Sequence, residues 1–212
     1  MRQFYGSPST YWWDDDEGVT HEVVQGEGGE QGDPLMPALY ALGQHRALVA
    51  INDQLLPTER LLAFHDDLCV LCSPHRVADV HIVLQQALWE HSWISLHHGK
   101  TQIWNRAGEE PRGWRALTAA ARLVDPEAVV WRGDPSLPSS AQGVKVLGTP
   151  LGHPDFVRAH LRSSTEAQRV LMQRIPSIPD PQGAWLLLLF CAGSRANYML
   201  RVVPPGLRQV AP

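Results

Sequence analysis

LLAFHDDLCVLC, residues 61–72, is the stretch on which the reading of this chain turns. Nine of its twelve residues are apolar, yet His65, Asp66 and Asp67 interrupt it at the centre. Two adjacent carboxylates buried without partners would cost several kcal/mol or be forced to stay protonated. The run therefore reads as two short strands with a turn at His-Asp-Asp, the acids standing at the exposed end. Strands on either side hold such carboxylates rigidly. Oxygen ligands presented this way suit Mg2+, which binds carboxylates and keeps several waters. Asp-Asp also occurs in turns for a plainer reason, since its side chains satisfy nearby backbone groups.

Working outward, VVQGEGGEQGDPLMPALYALGQHRALVAIND begins as a Gly-rich acidic loop and turns helical after Asp33. Asp33 suits the N-cap and Pro34 the first helical position, while Pro37 still falls in the first turn. Leu35, Leu39, Leu42, Arg46 and Val49 predict one face of a helix ending near Asn52. Downstream, Val77, Val80, Val83, Leu84, Ala87 and Leu88 mark an amphipathic helix over about 76–91. KTQIWN reads as a strand, residues 106–115 as loop, and 116–123 as helix. RGDPSLPSSAQG, residues 132–143, has the composition of a linker. GVKVLGTPLG is a strand or hairpin, and two helices follow over about 155–174 and 184–201. Strands and helices mix without regular βαβ alternation, so the expected class is α+β.

The 212 residues suffice for one large domain or two small ones. With 44% hydrophobic and 19% charged residues, the disordered class is excluded. Three cysteines, an odd number, argue against a secreted disulfide framework and for a reducing compartment. The N-terminus has no signal-peptide pattern, and the apolar run WLLLLFCAG is far shorter than a membrane span of about 20 residues. The chain is expected to be soluble, with no membrane partner. Its net charge of −4 is unevenly spread. Residues 1–70 carry 12 acids against 3 arginines, and residues 71–212 carry 10 acids against 15 Lys and Arg. A basic C-terminal part can face a polyanion, though the excess is modest.

Four segments then fall in order: QGDPLMPALYALGQ, FHDD, GKTQIW and VLGTPLG. This series resembles the palm of reverse transcriptases, RNA-directed DNA polymerases, of the non-LTR (LINE-like) retrotransposon class. The resemblance covers about residues 1–203 and implies a partial polymerase palm over 1–131. A linker and primer-grip-like hairpin would follow over 132–153, and a helical thumb or connector over 154–212. It implies nucleotidyl transfer assisted by Mg2+ or Mn2+, with two ions about 3.5–4 Å apart. Asp66 would be a metal ligand, with Asp67 supporting the metal or the primer end. Gln31, Gly32, Asp33 and Pro34 would form the loop against the incoming nucleotide and template base. Lys100 would stabilise charge or donate a proton at the leaving pyrophosphate. Leu147 and Gly148 would shape the grip on the primer. The implied partners are an RNA template, a DNA primer and dNTPs, together with a missing N-terminal fingers and palm segment or an endonuclease domain. The implied location is intracellular, and nuclear for an active element.

The family's palm also uses an Asp on a strand upstream of the QGDPL loop. Asp14, Asp15 and Asp16 are the only clustered acids there, and they read as a solvated hairpin tip. The expectation is an N-terminally truncated enzyme; the alternative is a catalytically inactive remnant that at most binds nucleic acid. A small Mg2+-dependent hydrolase built on the Asp pair is a third reading. Trp104 and Arg106, Arg112, Arg115 and Arg122 could stack on bases or meet phosphates, or be ordinary surface and core. Three other signals fail. Ile94 stands where a P-loop needs glycine before GKT, and Gln31 replaces the third glycine of a dinucleotide fingerprint. Cys69 and Cys72 have zinc-like spacing, but on a strand they point to opposite faces.

Overall fold

Every strand in the computed structural model pairs with its nearest neighbour in sequence, which is the least costly loop to close. Residues 9–24 and 33–207 are described. They divide into two compact units, 1–43 and 44–212. In the first, β1 (Thr10–Asp14) pairs antiparallel with β2 (Thr20–Val24). Asp15 caps their turn, accepting from the Glu17 and Val19 amides at 3.0 and 2.9 Å and meeting His21 at 2.8 Å. The His21 bond, with these amides, holds the Asp15 carboxyl below its ordinary value. The Asp14–Asp16 cluster thus sits at a hairpin tip.

The helix α1 (Met36–Gln54) crosses from one unit into the other. The Asp33 carboxylate accepts from the Leu35 amide at 2.8 Å, and the Asp33 carbonyl from Met36 at 3.2 Å. Pro34 therefore lies in the turn before the helix rather than at its first position. The buried residues are Gln44, Ala47 and Ile51, whereas Leu35, Leu42 and Val49 are exposed. This corrects the expected face. Leu, Ala and Val surround the helix on all sides, so its own pattern selects no single face, and packing against neighbouring elements does.

In the second unit, β3 (Arg60–Phe64) and β4 (Asp67–Leu71) pair in the register Leu61↔Val70, Ala63↔Leu68 and Phe64↔Asp67. After them, α2 (Val77–Ser92) buries Val80, Ala87 and Leu88, the face its spacing predicts. Ala47, Ile51, Ala87 and Leu88 form one core, against which Leu61 and Leu68 of the hairpin and Ile94 and Leu96 pack. Fully burying an aliphatic side chain contributes about 1.5–3 kcal/mol. Leu61 and Leu68 are partly buried, so this core supports the hairpin with a fraction of that per residue. A polar anchor adds to it. Glu59, buried just before β3, accepts from the Leu56 amide at 2.9 Å and from Arg76 Nε at 3.2 Å, tying the hairpin base to the start of α2.

KTQIWN does not form a strand. Its Ile103 makes a single parallel bridge to Trp131, accepting from Arg132 N and donating to Val130 O, both at 2.7 Å. Turns on both sides of residues 128–131 leave no length for a ladder. Ile103 instead joins a second core of Ala121, Ala128 and Val130, beside α3 (Trp114–Arg122).

A last hairpin, β5 (Gly143–Val146) with β6 (Thr149–Gly152), lies against α4 (Pro154–Arg174). Close approach explains its terminal glycines. A Cβ on Gly143 would strike the Phe156 ring, and one on Gly152 would strike the Gln142 carbonyl. The preceding stretch is bonded to α4 as well, with Ser139 Oγ donating to Asp155 at 2.8 Å. The expected helix over 184–201 is one uninterrupted run, in which α5 (Pro181–Leu186) passes through a π-helical stretch (Leu187–Ala192) into α6 (Gly193–Val202). Within this wider turn, Gln168 of α4 donates to the Ala192 carbonyl. Val157, Leu161 and Val203 form the third core. The class is α+β, and among the described residues the β structure is three separate two-stranded antiparallel hairpins. Among the described residues, no helix is long and apolar enough to cross a membrane.

Candidate functional site

The acids of the opening stretch are placed by the β3–β4 turn. His65 and Asp66 form the two-residue loop, and Asp67 begins β4 opposite Phe64. His65 has φ of +53°, which costs a non-glycine residue about 1–2 kcal/mol. Its ring packs edge-on against Phe64, centroids 4.8 Å apart. Alternation along the strands puts Leu61 and Leu68 toward the core, and Leu62, Phe64 and Asp67 on the opposite face. Leu62, Phe64, Asp66 and Asp67 are all exposed. Neither the Asp66 nor the Asp67 carboxylate has a hydrogen bond or ion pair to another described residue, unlike Asp15, Asp33 or Asp180, whose carboxylates cap backbone amides. The usual local employment of turn aspartates is therefore not what holds these two.

The other candidate positions lie apart in sequence and are carried by different elements. Lys100 is exposed at the end of a short 3-10 turn, His98–Lys100. The chain leading to it packs through Ile94 and Leu96 on the same core as Leu61 and Leu68. Lys100 and the Asp pair thus stand on one hydrophobic support, with no polar contact between them among the described residues. Asp33 and Pro34 lie in the turn before α1 in the first unit; Gln31 and Gly32 lie outside the described residues.

Leu147 and Gly148 are the two loop residues of β5–β6, with φ of +49° and +80°. Positive φ at both positions is what a tight hairpin of matching twist demands. Glycine meets that demand freely and leucine does not. This tip is engaged: the Tyr198 hydroxyl of α6 donates to the Leu147 carbonyl and lies 2.8 Å from Thr149 Oγ1. Sequence reasoning passed over Tyr198 and the buried Glu59. An acid directly before an apolar strand is a signal that could have found Glu59; nothing in ANYML distinguishes Tyr198.

Of the candidate nucleic-acid contacts, Trp104 is half-buried, whereas Arg106, Arg112, Arg115 and Arg122 are exposed. Arg115 is partly committed elsewhere, lying 5.4 Å over the Trp114 ring and 3.1 Å from Glu110. Cys69 and Cys72 are half-buried free thiols, and burial pushes both above the ordinary cysteine value. They are poorly suited as thiolate ligands.

Two free carboxylates match the oxygen chemistry of a single Mg2+ completed by water. Among the described residues no group of three His, Cys, Asp or Glu is placed to hold a metal. The turn thus presents two carboxylates, and the described residues place no third ligand beside them. No protein-family model, no curated protein and no solved structure matches this chain.

Proposed function

We propose that the chain derives from the palm and thumb of a non-LTR reverse transcriptase and engages an RNA template paired with a DNA primer. The observation that carries this reading is the β3–β4 turn, a hairpin whose two adjacent carboxylates are exposed and engage no other described residue. Asp66 and Asp67 would hold Mg2+ there, which in this chemistry supplies positive charge to the phosphates of an incoming dNTP. Lys100, carried on the same core, would meet the charge of the departing pyrophosphate. Leu147 and Gly148 would offer a turn backbone to the primer, with Asp33 and Pro34 at the nucleotide loop. Helices α4 to α6 would be the thumb or connector.

A second reading, a remnant that binds nucleic acid without extending it, is favoured by the division of the β structure into separate hairpins. A polymerase palm would join such strands into one sheet. Primer extension on an RNA template separates the two. Mg2+-dependent dNTP incorporation by the folded chain, lost in Asp66→Asn and in Asp67→Asn, is the expected outcome for the enzyme. Binding of the duplex without incorporation would establish the remnant. Neither binding nor extension would overturn both.

A further inference from the structure

We propose that Tyr198 is a positioning residue, a bolt on α6 that holds the Leu147–Gly148 tip of the β5–β6 hairpin in its left-handed conformation. Donor and acceptor chemistry fixes the roles at this contact. A backbone carbonyl only accepts, so the Tyr198 O–H donates to Leu147 O. That hydroxyl has one proton, so at 2.8 Å the Thr149 hydroxyl must donate to Tyr198 Oη. One phenol oxygen thereby closes both sides of a two-residue turn from 51 and 49 residues away. The ring completes the fit, with its Cε1 3.4 Å from where a Cβ on Gly148 would stand. A Cβ at 148 would meet the ring at ordinary contact distance, so its main cost would be the unfavourable φ.

The held turn is also one that needs holding. Leu147 has φ of +49°, and its side chain is about half exposed. Its own packing gives little reason for a conformation that leucine disfavours, and the clamp supplies one. Helix α6 is in turn anchored at its end, where Met199, Val202 and Val203 pack with Val157 and Leu161 of α4. The tip is therefore fixed to the same body as the C-terminal helices and moves with them. Where the hairpin is read as a primer grip, which rests on the proposed function, the bolt couples the grip to the thumb.

Amide hydrogen exchange on the full chain tests the bolt without any nucleic acid. In Tyr198→Phe, which keeps the ring and removes the oxygen, exchange in residues 143–152 should rise about five- to thirtyfold. Exchange in α2 should stay as in the wild type. The rise should be smaller in a Leu147→Gly background, because glycine adopts the turn unaided. Unchanged exchange at the hairpin would overturn the proposal, as would an equal rise across α2, which would make Tyr198 a general packing residue. A second arm measures binding of a DNA primer annealed to an RNA template. Weaker binding by Tyr198→Phe supports the coupling; equal binding by both proteins removes it. If the wild type binds no duplex while the exchange result holds, the palm reading fails and the bolt stands.

Discussion

The hairpins β3–β4 and β5–β6 are built alike and secured at opposite ends. Each closes with a two-residue loop whose first residue, His65 or Leu147, is a non-glycine at positive φ. In β5–β6 the tip is bolted by Tyr198, and Gly143 and Gly152 let the strand ends lie against Phe156. In β3–β4 the face is seated by Leu61 and Leu68, and the base is tied by Glu59 to Arg76. There the tip is left with two unengaged acids. A turn whose carboxylates bind nothing local is available for a ligand, whereas a turn bonded from both sides is part of the scaffold. The difference lies in the third element, α6, which reaches one tip and leaves the other open.

The largest perturbation follows from the separate cores. Leu88→Ala should cost about 2–5 kcal/mol in denaturant unfolding. Hydrogen exchange should show β3–β4 losing protection first, because Leu88 lies in the core that Leu61 and Leu68 cover. The hairpin β5–β6, seated on α4, should keep its protection. Simultaneous loss in both hairpins would show a single cooperative unit and erase the contrast.

The polar anchor comes next. Burial by itself would raise the Glu59 carboxyl, but the Leu56 amide and Arg76 outweigh it and hold it below the ordinary value. A folded-state value below the unfolded one contributes stability that is present above about pH 5. That stability is lost as the pH falls through the lower, folded value. Glu59→Gln should therefore cost about 1–3 kcal/mol at neutral pH. It should also flatten the acid limb of a stability–pH curve, measured by urea unfolding from pH 7 to 3.

The smallest effects distinguish the two tips. Leu147→Gly relieves an unfavourable φ and should raise stability by about 1 kcal/mol, read as a higher Tm. His65→Gly relieves a similar φ but forfeits the edge contact with Phe64, so its net effect should be nearer zero. Equal gains at the two tips would show that the His65 ring contributes nothing there.

The hairpin of residues 60–71 was legible because alternating apolar residues and a polar interruption are local signals. The helix Val77–Ser92 was legible because its apolar residues recur at three- and four-residue spacing. The acids of the candidate site were visible for the same reason: a strand-like run rejects them from its interior. Local chemistry also placed the turn before α1, where Asp33 caps the Leu35 amide.

What the sequence by itself determined about this protein is where the chain turns and which short segments are amphipathic, since residues only a few positions apart settle both. Tertiary structure decided the rest. The buried face of α1 is Ala47 and Ile51, because the elements of its core meet it on that side. KTQIWN became one bridge, because its partner segment is too short to pair further. Tyr198 found the Leu147 carbonyl across 51 residues. Contacts between distant segments depend on which surfaces packing brings together, and no local pattern carries that information.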